Sequence, residues 1–262
     1  MGILEFGFAR NSLLASAVMA LFLPGLSFFI VTRRLSFTGV GISHSAFGGL
    51  ALGVLVGINP LWAAVGFALV VALALAEAAR RGVPEDTTTG VLFAGTMALG
   101  VMFLAVAGGS RVDLWTYLFG NILSVSRGDI LVLAVICVAC VAFGAVSWKG
   151  LLLSTFDEEL ARAGGVRVGL LNTLLLVLVS FTVVGCLKAV GIVLLSGLLV
   201  FPGAVGARLA VSCRAGFVAS YIVGALAIFG GLALSFTLNL PSGASIILVG
   251  TLLFLASLFV RR

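Results

Sequence analysis

Charged side chains are scarce in this sequence. Only 9% of the 262 residues are Asp, Glu, Lys or Arg, whereas a typical soluble domain has about 25%. Hydrophobic residues make up 62% of the chain, and its mean hydropathy is +1.32. Because this composition excludes an ordinary soluble enzyme, we predict an all-α protein that crosses the membrane several times.

Motifs for nucleotide chemistry are missing as well. No G-x-x-x-x-G-K-[ST] segment occurs, so the chain lacks a P-loop for ATP. The net charge of +6 does not indicate a nucleic-acid partner, since excess Arg and Lys in a membrane protein usually mark its cytoplasmic loops. The four cysteines lie in or beside apolar runs, where we interpret them as small hydrophobic residues. We expect no cofactor bound by this chain.

Apolar runs of membrane-spanning length recur along the sequence. A helix needs about 20 apolar residues to cross the hydrocarbon core. The count is nine spans if Lys188 marks a break between two of them, and eight if it does not. The predicted spans are 11–32, 37–57, 61–79, 90–107, 129–147, 170–187, 189–210, 216–236 and 244–260.

The basic residues are divided unequally between the two ends of these spans. The poorer side has Arg10, Arg111, Arg127 and Lys188. The richer side has Arg33, Arg34, Arg80, Arg81, Lys149, Arg162, Arg167, Arg208, Arg214, Arg261 and Arg262. Because Lys and Arg concentrate in cytoplasmic loops, we predict that the richer side is cytoplasmic. The N-terminus is then outside and the C-terminus inside.

His44 is the only histidine, and it lies inside the apolar run 36–57. A titratable group at this depth is costly in hydrocarbon, so it normally faces protein or a water-filled path. Imidazole is also the commonest metal ligand. Four glycines occur between residues 39 and 49 and favour a broken helix, the kind of segment where transporters bind substrates. A substrate-contacting role and a hydrogen-bonded structural role both remain open for His44.

Two acidic residues near the predicted outer surface have simple structural interpretations. Asp113 either pairs with Arg111 or caps a helix, and alternatively it forms an acidic entrance that attracts cations. Asp129 is expected to cap the fifth span.

The segment 148–169 is the longest predicted cytoplasmic loop. Its residues 154–163 have the pattern of a short amphipathic helix, with Ser154 or Thr155 as its cap and three acids in its first turn. The pattern fits a solvated connector and a docking helix equally well.

Five segments resemble, in the same order, the motifs of one family of bacterial transporters. They are RRLSFTGVGISHSAFGG (33–49), PEDTTTGVLFAGTMALGV (84–101), RVDLWTYLFGNIL (111–123), DEELARAGGV (157–166) and KAVGIVLLSGLLVFPGAVGARL (188–209). These segments are similar to those of the permease subunits of zinc, manganese and iron-chelate ABC importers, the ABC-3 family. The resemblance covers nearly the full length, which we interpret as a single permease domain over 1–262.

The resemblance implies a type II importer permease in the bacterial cytoplasmic (inner) membrane. Two copies would form a homodimer in the lipid bilayer, with a path along their interface for a divalent transition metal. Two cytoplasmic ATPase subunits would hydrolyse the ATP, and an extracytoplasmic protein would deliver the metal, so the chain itself is not an enzyme. The coupling residues implied by the resemblance are Asp157, Glu158, Glu159, Leu160 and Ala161.

The resemblance also implies a metal path through His44 and Asp113. Its neighbours in this sequence are Ser43, Ser45, Val40 and Asn121. The family often carries Asp at the positions of Val40 and Asn121, so this chain lacks two negative charges. Since manganese prefers oxygen ligands and zinc accepts imidazole, we expect zinc rather than manganese.

Other functions fit the residues less well. A permease for a siderophore, another chelate or a vitamin usually has a longer chain with more spans. An intramembrane Ser/His enzyme needs a nucleophile that faces its base, and Ser43 and Ser45 are sequence neighbours that do not face His44 on a helix. An ion-coupled transporter without ATPases needs intramembrane acids, which are almost absent here.

Overall fold

A computed structural model describes residues 7–108 and 114–260. Within these ranges the chain is helical and has no strand. The helices are α1 (Gly7–Thr32), α2 (Ser36–Val56), α3 (Pro60–Arg80), α4 (Glu85–Val106), α5 (Leu114–Phe119), α6 (Arg127–Phe156), α7 (Glu158–Ala163), α8 (Val168–Val190), α9 (Ile192–Leu198), α10 (Phe201–Leu209), α11 (Cys213–Leu238) and α12 (Ser242–Phe259). A 3-10 turn, Ile122–Ser124, lies between α5 and α6.

Nine segments of the described residues are long and apolar enough to cross a membrane. Eight of them are single helices, and the ninth, Ile192–Leu209, consists of α9 and α10 together. This result confirms the nine-span prediction and removes the eight-span alternative. The break lies at Gly191 rather than at Lys188, because Gly191 has φ +86°, a backbone angle that glycine adopts without steric cost.

The chain divides into two compact units. The first contains the described residues of Met1–Arg34, Trp115–Trp148 and Gly185–Arg262. The second, which we call the His44 unit, contains those of Leu35–Leu114 and Lys149–Val184.

Close backbone approaches hold α2 against α3 and α4 in the His44 unit. A Cβ atom added to Gly49 would lie 2.6 Å from the Cα of Ala64 and 2.8 Å from the carbonyl oxygen of Ala63. On the α4 side, Gly100 leaves room for the ring of Phe47. The glycines around His44 therefore serve helix packing. The prediction of a broken helix there is wrong, because α2 runs without interruption from Ser36 to Val56.

We expect Gly49→Ala to destabilise the permease, whereas Gly66→Ala should be tolerated. The added methyl at position 49 would overlap the α3 backbone, and overpacking typically costs about 1–3 kcal/mol. At Gly66 an added Cβ meets nothing within 4 Å, and alanine is the better helix former. Thermal unfolding of the purified variants in detergent measures the difference. Equal midpoints for the two variants would contradict this packing account.

A helix break does occur in the first unit, between α9 and α10. Pro202 lies in the first turn of α10 and has no N–H to donate. The next N–H, that of Gly203, donates to the hydroxyl of Ser27 on α1 at 2.9 Å. The two parts of this span are thus joined by irregular backbone that a side chain of α1 holds in place.

The start of α6 is fixed by a capping arrangement around Asp129. One carboxylate oxygen of Asp129 accepts hydrogen bonds from the backbone N–H and the hydroxyl of Ser126, at 3.0 and 2.7 Å. The other oxygen pairs with the ammonium group of Lys188 at 2.9 Å. The capping role predicted for Asp129 is therefore confirmed, and the ion pair to α8 is an addition that the sequence did not reveal.

Candidate metal-path site

The first four turns of α2 present one narrow strip of accessible side chains. Between residues 37 and 51, every residue is buried except Phe37, Val40 and His44. Phe37 is 42% exposed, and the other two are partly exposed. Because these residues are spaced by three and four, they lie on the same face of the helix. We call Phe37, Val40 and His44 the α2 strip.

The imidazole of His44 lies against one aromatic ring. The centroid of the Phe93 ring on α4 is 5.0 Å from that of His44, with an edge-to-face angle of 85°. Residues 7–108 and 114–260 offer the ring nitrogens of His44 no hydrogen-bond partner. A buried structural histidine would normally have such a partner. The nitrogens of this half-buried side chain are therefore available to a ligand.

The neighbouring hydroxyl groups form hydrogen bonds within α2 itself. The hydroxyl of Ser43 donates to the carbonyl of Gly39 at 2.9 Å, and that of Ser45 donates to the carbonyl of Ile42 at 2.7 Å. Both serines are fully buried. The two ring nitrogens of His44 are therefore the polar side-chain atoms that the α2 strip offers to a ligand.

The structure brings together only some of the residues predicted to line the metal path. Val40 lies one turn from His44 on the α2 strip. Asn121 belongs to the other unit, where its side chain accepts a hydrogen bond from the N–H of Leu123 at 3.0 Å and caps the 3-10 turn. Asp113 lies outside the described residues. Among residues 7–108 and 114–260, no three His, Cys, Asp or Glu side chains converge to hold a metal.

A helix is present where the coupling helix was predicted, but it is shorter than the sequence indicated. It is α7, and Asp157 caps it by accepting hydrogen bonds from the N–H groups of Glu159 and Leu160, both at 2.9 Å. The predicted start at residue 154 differs from this structure, because Ser154 and Thr155 donate to carbonyls within α6 and continue that helix to Phe156.

Sequence reasoning missed the apolar character of this surface. Leu160 on α7 is 59% exposed, and Phe156 at the end of α6 is 74% exposed. Ala161 is fully buried, so its side of α7 packs against the protein. Glu158 forms an ion pair with Arg162 at 3.0 Å. The signal available in the sequence was the presence of Phe156 and Leu160 within a segment otherwise rich in charged residues. Two large apolar side chains between charged ones are typical of the centre of a protein interface.

Comparison with known proteins identifies the family. Residues 5–261 match the ABC 3 transport family. The chain is 31% identical to the manganese transport system membrane protein MntC of Listeria innocua, over 100% of this chain and 94% of that protein. It is 30% identical to the high-affinity zinc uptake system membrane protein ZnuB of Haemophilus influenzae, over 96% of this chain and 97% of that protein.

A solved structure supports the same assignment. PsaBC from Streptococcus pneumoniae, determined in complex with a Fab, superposes with a TM-score of 0.86 at 31% identity. The match covers 100% of this chain and 94% of the solved one. The nine spans and the helical fold are therefore those of an ABC permease. The chain belongs to the ABC-3 transport family, as a membrane-spanning transport subunit rather than an enzyme.

Proposed function

We propose that this protein is the permease through which an ATP-driven importer moves a divalent transition metal, zinc in preference to manganese, across the cytoplasmic membrane. The observation that carries the proposal is the position of His44, partly exposed on the α2 strip with no hydrogen-bond partner in the described residues. Imidazole in this state is a metal ligand, whereas a packed structural histidine would have a partner.

The chemistry of the α2 strip supports zinc. His44 contributes a nitrogen ligand, and Val40, one turn away, contributes no oxygen. Manganese favours carboxylate and carbonyl oxygens, while zinc accepts imidazole. The relatives do not decide the choice, since more of them are named for manganese than for zinc. In a homodimer a second His44 would approach the same ion, giving two nitrogen ligands.

The assembly that we propose is the one an ABC permease needs. Two copies form the path, and two cytoplasmic ATP-binding subunits dock on α7 and the end of α6, through Leu160 and Phe156. An extracytoplasmic metal-binding protein delivers the ion. The excess of Arg and Lys supports a cytoplasmic location for α7 and the C-terminus and an external location for the N-terminus. Asp113 stays a candidate for the entrance.

Uptake by vesicles containing the permease, its cognate ATPase and its binding protein tests this function. We expect ATP to drive zinc into the vesicles faster than manganese, both ions being supplied at equal concentration. Zinc binds neutral imidazole, so uptake should also fall as protons compete for His44 at acid pH. Faster manganese uptake would reject the zinc assignment. A complex that hydrolyses ATP and moves neither ion would reject the metal function.

A further inference from the structure

The α2 strip is apolar between His44 and the N-terminal end of α2, which lies just after Arg33 and Arg34. From His44 towards that end, the strip exposes Val40 and then Phe37, both apolar. Seven residues of α-helix separate His44 from Phe37, which is about 10 Å along the axis. A metal ion that leaves His44 in this direction therefore passes an apolar stretch of the α2 surface.

The hydroxyl groups nearest this stretch are turned away from it. Thr38 of α2 and Thr89 of α4 are buried with their hydroxyl oxygens 3.3 Å apart, which is a hydrogen-bond distance. Ser43 donates to the backbone of its own helix. These groups give a partly dehydrated cation no replacement for its water ligands along Val40 and Phe37. In channels, apolar side chains that line a narrow path block ions by excluding water.

Phe37 also has room to move. The α4 residue opposite its ring is Gly90, where an added Cβ would lie 4.0 Å from Cε1 of Phe37. One turn further along α4, Phe93 packs edge-on against His44. The glycine leaves free volume beside Phe37, whereas the ring of Phe93 fills the corresponding space beside His44. An exposed aromatic side chain in open space changes rotamer quickly.

We propose that Phe37, supported by Val40, forms an apolar gate between His44 and the Arg33–Arg34 end of α2, and that movement of the Phe37 ring opens it to cations. The proposal rests on the proposed function for its physiological role, because His44 is the metal contact that the gate closes off. The barrier itself concerns any hydrated cation.

Chemical access to position 44 tests the gate without any transported metal. The complex carries His44→Cys, with Cys140→Ser and Cys213→Ser to remove the two native thiols that are only partly buried. It is placed in vesicles with the ATPase outward, and a membrane-impermeant cationic methanethiosulfonate is added outside. Labelling of the thiol introduced at position 44 is followed with and without a non-hydrolysable ATP analogue.

We expect Phe37→Ala to speed this labelling about tenfold in at least one nucleotide state, which corresponds to about 1.4 kcal/mol of barrier. Phe37→Trp should slow it. The matched control is Phe181→Ala, since Phe181 has the same residue type and is 41% exposed in the same unit. It should leave the rate unchanged. Equal labelling of the parent, Phe37→Ala and Phe37→Trp complexes in both states would overturn the gate.

The two proposals fail in different ways. If labelling depends on Phe37 while the parent importer moves neither zinc nor manganese, the gate stands as a cation barrier and the metal function is rejected. If the importer moves zinc but the labelling rate is the same in the parent and both Phe37 variants, the metal function stands and the gate is overturned.

Discussion

Vesicles that contain the His44→Ala permease should take up zinc about a hundredfold more slowly than wild-type vesicles, or not at all. The reason is the absence of any substitute ligand on the α2 strip. Val40 and Phe37 are apolar, and the adjacent serine hydroxyls are bonded within α2. Losing the imidazole removes the nitrogen that this chain offers to the ion.

The matched control for this variant is Ser45→Ala. Ser45 is the neighbour of His44, but its hydroxyl is fully buried and bonded to the carbonyl of Ile42. Uptake should therefore stay close to the wild-type rate. Both variants must assemble with the ATPase and hydrolyse ATP before their rates are compared. Normal zinc uptake by an assembled His44→Ala complex would make His44 structural and move the path to Asp113 or to backbone carbonyls.

Replacing Leu160 with arginine should separate the permease from its ATPase. Leu160 is 59% exposed, and Phe156, four residues earlier, is 74% exposed, so both present large apolar side chains at the surface. An apolar residue at the centre of an interface commonly contributes about 2 kcal/mol or more, which is about thirtyfold in affinity. A charge at this position adds a desolvation cost.

Copurification of the ATPase with the tagged permease measures this effect. Arg167→Gln is the control, because Arg167 is exposed just after α7, lies outside the predicted coupling residues, and its side chain forms no interaction in the described residues. We expect the control to retain the ATPase and Leu160→Arg to lose most of it and its ATP-driven uptake. Full retention by Leu160→Arg would show that α7 is a connector and not a docking helix.

Hydropathy was enough to predict eight or nine spans, because length and apolar composition largely determine whether a helix can cross a bilayer. The ninth depended on where the run around Lys188 divides. The ends of the helices were harder to predict from the sequence. The sequence offered Ser154 and Thr155 as caps, yet both hydroxyls bond to carbonyls of α6, and Asp157 provides the cap instead. Choosing among adjacent capping residues depends on where the preceding helix ends, and tertiary packing determines that.

Glycine content misled the sequence analysis about the position of the helix break. Glycines near His44 indicated unwound backbone, but Gly49 instead lets α2 approach the α3 backbone closely. The actual break, between α9 and α10, coincides with Pro202 and with the bond from Gly203 to Ser27. That bond joins residues distant in sequence, so no local pattern could have revealed it.

The candidate site was predicted in part. His44 was identified because one imidazole in an apolar run is costly, and the spacing to Val40 followed from helical periodicity. The role of Phe37 could not be predicted from sequence, since an aromatic residue in a span is ordinary until its exposure is known. Asn121 was grouped with the path by resemblance, whereas its observed hydrogen bonds cap a turn in the other unit.

X-ray absorption at the zinc edge tests most directly whether His44 contacts the metal. The sample is the purified importer complex loaded with zinc, and the His44→Ala complex is the comparison. The account predicts zinc–nitrogen scattering at about 2.0 Å with the outer-shell pattern of imidazole, and the loss of that pattern in the variant. Identical spectra from the two complexes, or an absence of bound zinc in the wild type, would contradict it.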